Sequence, residues 1–342
     1  MSLVFAVAGL AVIALALSDI FVTSLTLRGA GPVTRRLTST LWRIARAFFL
    51  KNRGLRSSLA LVGPLIAAAT VINWLLLLWI GWTLVFVAGT GNVLIDSTDE
   101  PADWLGKAYF VGYTLSTLGL GDIRPDGPGW RLATALASIN GFLTVSLAAT
   151  YLLPVVMAAA RQRQLAVYIH GLGDTPADVV LSGWDGKGFT ALEQHLAALA
   201  PMVMEVGHQH LVYPVLYAFH NTRREAAFDM KIAVLDEALH LLHFGVAPDV
   251  RPVTAATRPL EVGITSLLER MRDAAIEATS EPPVLPDLER LRRHGIPVVG
   301  MDEFRRSMGT RAPRRCQMQA VVLDAGWSWD DVGPERERDA RR

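Results

Sequence analysis

Charged residues are absent over 1–17, 57–95 and 132–160. Each run approaches or exceeds the roughly 20 apolar residues that a helix needs to cross a bilayer core. After Ser18-Asp19 the first run resumes and continues to Leu27. It reads as an uncleaved span rather than a secretory signal. No Lys or Arg precedes it, and the first positive charges, Arg28, Arg35 and Arg36, come after it. Asp19 would cost about 3 kcal/mol facing lipid near the bilayer centre. It is therefore expected near the helix end, or turned inward to a protein partner. In the second run Gly63-Pro64 predicts a break, followed by a span over 65–88, with Trp82 near enough to an end to anchor at the interface. The third run would be about 43 Å long as a helix at ~1.5 Å per residue, enough to cross and project beyond.

Residues 28–56 carry eight basic and no acidic side chains, whereas 96–103 carry four acidic and no basic ones. By the positive-inside bias, the basic loop is cytoplasmic, while the acidic loop and the N-terminus face outward. The C-terminal half, entered through Arg161 and Arg163, then lies inside, and the expected location is the plasma membrane. In the basic loop Leu37, Leu41, Ile44 and Phe48 share one helical face. Arg35, Arg36, Arg43 and Arg46 can reach lipid headgroups, which makes membrane lipids expected partners. The arginines are not spaced every third position in an apolar span, as a voltage sensor requires.

Composition divides the chain at about residue 160. The first part holds 11 basic and 7 acidic residues and no histidine; the second holds 22 basic, 25 acidic and all eight histidines. The whole is 51% hydrophobic with mean hydropathy +0.31. A net charge of +1 argues against a general nucleic-acid binder. The single Cys316 excludes an intrachain disulfide and a cysteine-based zinc cluster.

About 40 residues separate the second and third spans, and their middle, 108–122, is too apolar for a solvated loop and too short to cross twice. A re-entrant segment fits, because irregular backbone at membrane depth is tolerated where it lines a water-filled cavity or is buried in protein. Alternating glycines let successive carbonyls turn to one side, where they can replace an ion's hydration shell.

At Thr117-Leu118-Gly119-Leu120-Gly121-Asp122 the chain resembles the pore-loop potassium channels, whose filter reads Thr-Val-Gly-Tyr-Gly-Asp. The resemblance covers roughly residues 60–160 and includes the order of outer span, short pore helix over about 103–115, filter and inner span. It implies that the carbonyls of Thr117, Leu118, Gly119 and Leu120, with the Thr117 hydroxyl, form stacked ion sites. Gly121 and Asp122 would shape the outer mouth, and Tyr109, Phe110 and Tyr113 would support the filter. Leu120 departs from the common Tyr and lacks its hydroxyl, although some two-pore-domain channels carry Leu there. Gly141 and Pro154 are candidate gating bends on the inner helix, with close packing and an incidental kink as the alternatives. One pore loop per chain implies a homotetramer, with potassium in the filter and no other cofactor.

Beyond residue 163 apolar spacing predicts helices over 189–204, 224–244, 260–278 and 302–325, hence a helical bundle. Residues 165–173 look briefly like a strand entering a nucleotide loop, but Pro176 stands where the third glycine belongs. His240 and His243 share a helical face, and Glu205, His208 and His210 are near in sequence. Without cysteines or a complete motif they read as ordinary histidines rather than metal ligands. Residues 213–217 read as a tight helix junction. The expected fold is an all-α membrane protein with three transmembrane helices plus a re-entrant pore helix and selectivity filter, followed by an α-helical cytosolic domain. Its expected segments are an N-terminal span (1–27), a basic interfacial helix (28–57), a pore domain (58–160), a cytosolic domain (161–326) and a disordered tail (327–342). The expected function is potassium conduction regulated by the cytosolic domain. A weakly selective cation channel and a non-conducting sensor or scaffold are the alternatives. No enzyme is expected, since no nucleophile with a base, carboxylate pair or metal signature can be assembled from the spacing.

Overall fold

The computed structural model describes residues 2–26, 29–51, 59–273 and 277–333. The chain is an all-α membrane protein. Among the described residues three helices are long and apolar enough to cross a bilayer. They lie in α1 (Ser2–Leu25), α3 (Val62–Ala88) and α5 (Pro128–Leu172), with α2 (Pro32–Lys51) joining the first two. Between α3 and α5 come β1 (Val93–Ile95), α4 (Trp104–Leu115) and β2 (Ile123–Pro125). The chain forms two compact units, Met1–Arg43 with Pro64–Val155, and Ile44–Gly63 with Val156–Arg342.

In the first unit α1 and α3 touch through glycine. A β-carbon on Gly9 would come within 2.6 Å of the Gly81 carbonyl oxygen, so the backbones meet where neither carries a side chain. Asp19 is fully buried and turned inward. Its carboxylate accepts from the Val33 N–H at 2.8 Å, the Thr34 N–H and hydroxyl at 3.2 and 2.5 Å, and Trp74 Nε1 at 3.0 Å. It thus caps the first turn of α2, whose N–H groups have no partner within their own helix.

On α2 the face buried by protein is Thr34, Thr38 and Trp42. The apolar face read from the sequence is the uncovered one, with Ile44 62% and Phe48 55% exposed. Arg46, expected at headgroups, instead pairs with Asp324 at 2.9 Å. Gly63-Pro64 does not break α3. Both lie in its first turn, where proline's missing N–H would have had no partner in any case.

The second unit is built around α8 (Phe228–His240). It follows α6 (Pro176–Ser182), α7 (Thr190–Val212) and a 3-10 turn at Pro214–Ala218, and it runs on into a single π turn at Leu241–Gly245. After α8 come α9 (Thr254–Asp273), α10 (Leu288–Arg293), α11 (Met301–Thr310) and α12 (Ala312–Asp324). Helix α8 is buried nearly all round, so its charges need partners from neighbouring helices. Lys231 Nζ donates to Asp174 at 2.8 Å; Arg315 clasps Glu237 at 2.7 and 3.1 Å; Arg314 clasps Asp236 at 2.5 to 3.1 Å.

Three sequence expectations change here. The helix expected over 302–325 is two, because Pro313 cannot donate to the preceding turn and begins α12. Residues 165–172 of the segment that looks briefly like a strand belong to the end of α5. Helices α6 and α10 are additional; both are too short to show a period. Residues 327–333, expected in the disordered tail, contain a 3-10 turn at Trp329–Asp331, and Val332 is buried. Residues 334–342 lie outside the described ones, as do 274–276 of the helix expected over 260–278.

Candidate functional site

Helix α4 starts where its sequence allows. The side chain of Asp103 accepts the Gly106 N–H at 2.7 Å, satisfying one of the first-turn donors. Two side chains tie its body in place. Trp79 of α3 donates Nε1–H to the Ala108 carbonyl at 2.8 Å, and the buried Lys107 donates to the Gly89 carbonyl at 2.6 Å. Neither was read from the sequence, because both partners are backbone oxygens.

The far end of α4 closes in a Schellman motif. Leu118 N–H donates to Tyr113 O at 2.9 Å, and Thr117 N–H to Thr114 O at 3.1 Å. Such an ending needs a left-handed residue after the cap, usually glycine. Here that residue is Thr117, with φ of 60°. A β-branched residue in this region is strained. Gly119 and Gly121 follow with φ of 57° and 83°. Every second residue from 117 to 121 is therefore left-handed, an alternation that turns successive peptide carbonyls to one side. No other atom lies within 4 Å of where a β-carbon would stand on Gly119 or Gly121, so the glycines are required by conformation rather than by space. Leu118 and Leu120 point away from the core, 67% and 56% exposed.

Both ends of this segment are anchored. Strand β2 follows it at once and pairs antiparallel with β1, Ile95 opposite Ile123. The Asp122 carbonyl accepts the Asp96 N–H at 2.9 Å. Arg124 bonds to Asp99 and to Asp96, the latter at 3.1 Å, so two of the four acidic residues of the loop over 96–103 are neutralised locally. Tyr113 donates its hydroxyl to the Ile123 carbonyl at 2.5 Å. Its ring meets Tyr109 and Phe110 edge-on at 5.3 and 5.4 Å, and Phe110 meets Phe86 of α3 at 5.2 Å.

Among the residues expected to support a filter, Tyr109, Phe110 and Tyr113 thus form one aromatic group. The Asp122 carboxylate acts electrostatically on the Tyr109 and Tyr113 hydroxyls. A groove of about 460 Å³ runs past Tyr113, Thr117, Gly119, Gly121 and Arg131. Gly141 of α5 faces the Leu115 backbone at the end of α4. Helix α5 runs unbroken through both Gly141 and Pro154.

The histidines do not converge. His210 Nε2 pairs with Gln162 at 3.0 Å, and His243 sits between Glu261 at 2.5 Å and Thr257 at 2.8 Å. The nearest carboxylate to His240 is Glu237, at 3.6 Å. Among the described residues no three potential metal-ligating side chains cluster.

Residues 70–158 match the model of a protein family described as ion channels. Across 95% of both chains the sequence is 29% identical to YdjJ, an uncharacterized membrane protein of Bacillus subtilis (strain 168). No solved structure matches.

Proposed function

We propose, from the match of residues 70–158 to a family described as ion channels, that four copies ring a potassium-selective pore. In this reading α3 is the outer helix, α4 the pore helix, residues 117–121 the filter and α5 the inner helix. The observation that carries it is the left-handed alternation at Thr117, Gly119 and Gly121. That conformation aims consecutive carbonyls one way, and carbonyl oxygens in stacked rings can replace the water around a dehydrated potassium ion. The C-terminal end of α4 adds a favourable field, since a helix places about half a negative charge there.

One chain supplies one set of carbonyls and cannot enclose an ion. Assembly is further supported by the exposed apolar stripe Leu132, Leu136, Ile139 and Leu143 on α5 and by the exposed Leu118 and Leu120. The proposed site is a plasma membrane, with the N-terminus and residues 96–103 outside and residues 161–342 in the cytoplasm regulating flux. Arg35, Arg36 and Arg43 remain for lipid headgroups.

A second reading, weaker selectivity among cations, is favoured by Leu120, which has no hydroxyl to bond behind the filter. One experiment separates these readings. The purified protein is reconstituted into bilayers under bi-ionic potassium and sodium, and the reversal potential is read. A large shift toward the potassium potential supports the first reading and a small one the second. Absence of any cation current from a correctly assembled complex would falsify both and leave a sensor or scaffold. A reporter inserted at Ser97 that signals from the cytoplasm would overturn the orientation.

A further inference from the structure

We infer that the helical unit holds a binding site for a small phosphate-class anion, in a cavity between α8, α9 and the start of α12. The cavity encloses about 170 Å³. At about 30 Å³ per water, that is room for five or six waters, or for one phosphate with a small substituent. It is too small for most drug-sized ligands, whose pockets begin near ~300 Å³.

Its lining is charged and unbalanced. Arg258, Arg311 and Arg314 face Asp236 and Glu261 across it. The two carboxylates are already engaged. Asp236 accepts from Arg314 at 2.5 Å, and Glu261 pairs with His243 at 2.5 Å. Among the described residues Arg258 and Arg311 have no carboxylate partner within 4 Å. The Arg311 guanidinium is instead held over the Phe244 ring at 5.1 Å, and it acts on Asp236 and Glu261 through its charge without bonding to either.

A second observation points the same way. His240 lines the cavity and is 4% exposed; its Nδ1 makes no hydrogen bond and lies 3.6 Å from the Glu237 carboxylate, so the ring is held on the carboxylate side. Buried polar atoms are seldom left so. Two guanidinium forks without a carboxylate within 4 Å, beside a buried imidazole, match a tetrahedral oxyanion, which accepts several charge-assisted hydrogen bonds at once. Arg258 and Val262 also border a shallow apolar groove lined by Met204 and Pro259. That groove would take the organic part of a phosphate ester, whether a soluble metabolite or a lipid whose headgroup enters the cavity.

The test is binding, so its outcome stands apart from conduction. Full-length protein in phosphatidylcholine nanodiscs is titrated calorimetrically with inorganic phosphate. The thermal midpoint is then compared in nanodiscs with and without phosphatidic acid. Saturable phosphate binding, weakened about tenfold or more in Arg258→Gln and in Arg311→Gln, is expected, a loss in line with one charge-assisted bond. Arg305→Gln, on exposed α11, should leave it unchanged. Stabilisation by phosphatidic acid alone, with the same arginine dependence, would assign the anion to a lipid headgroup. Both substituted arginines are exposed, so the variants should melt like wild type without ligand. No saturable response to either phosphate source, or a response indifferent to both substitutions, overturns the site.

Discussion

The backbone of Gly141 lies so close to that of Leu115 that a β-carbon on the glycine would stand 2.0 Å from the Leu115 carbonyl oxygen. Helix α5 therefore rests on the last turn of α4, two residues before Thr117. Gly141→Ala must displace one of them, at about 1–3 kcal/mol for an overpacked contact. Because the displaced atoms adjoin residue 117, the expected result is a loss of potassium preference in the bi-ionic reversal potential, with the complex still assembled. A hinge at Gly141 would instead alter open time and leave the reversal potential where it was.

Tyr113→Phe removes the hydroxyl that holds the Ile123 carbonyl and leaves that buried oxygen unmatched, at about 1–3 kcal/mol. Lower potassium selectivity is expected. Leu120→Tyr restores the hydroxyl of the common filter motif and is expected to raise selectivity. If neither substitution moves the reversal potential, aromatic support does not limit selection.

Asp19→Ala withdraws the acceptor from Val33, Thr34 and Trp74 together. Losing a cap costs about 1 kcal/mol, and the stranded buried donors add roughly 1–3 kcal/mol. A lower melting temperature and a changed Trp74 emission are expected. Asp19→Asn keeps an acceptor oxygen and should fall between the two proteins. Equal melting of Asp19→Ala and wild type would show that the carboxylate is dispensable for stability.

Burial acts to raise the pKa of Asp236, but the charges of His240 and Arg314 and the hydrogen bonds from Arg314 outweigh it and hold the carboxyl below its ordinary value. A depressed folded-state pKa contributes stability that is present above the unfolded value of about 3.9 and is lost as pH falls through the folded one. Asp236→Asn removes the charge that Arg314 clasps and leaves it the Thr265 hydroxyl and the more distant Glu261, at up to about 3 kcal/mol near neutral pH. It should also flatten the acid limb of the stability curve. An unchanged acid limb would assign that limb to other carboxylates.

The spans were legible because a run of 29 or 39 uncharged residues needs no period to be read, and α4 because the resemblance at 117–122 implied a short helix before it. The buried charges of α8 were not. Asp236 and Glu237 find Arg314 and Arg315 78 positions away, and spacing carries no trace of such a pairing. Strands β1 and β2 are three residues each, too short for alternation to emerge. The motif over 117–122 and the support at Tyr113 were visible, whereas the attachment of α4 through Trp79 and Lys107 was not, since each of these donates to a backbone oxygen that every residue has.

Thr117 occupies a left-handed position that glycine would fill without strain. The penalty for a side chain there is about 1–2 kcal/mol per residue, hence about 4–8 kcal/mol around the proposed fourfold ring. Coordinated ions would offset that energy by drawing on the carbonyls the conformation presents. Exchange of the Leu118 N–H, which closes the Schellman motif, is expected to quicken when potassium is replaced by a cation too large to enter; equal rates would uncouple backbone from ion. Occupancy and backbone shape are then linked variables. Under the proposed function the permeating ion would also be the ligand that keeps its own path folded, and a scarcity of it on both sides of the membrane would close the path without any separate gate.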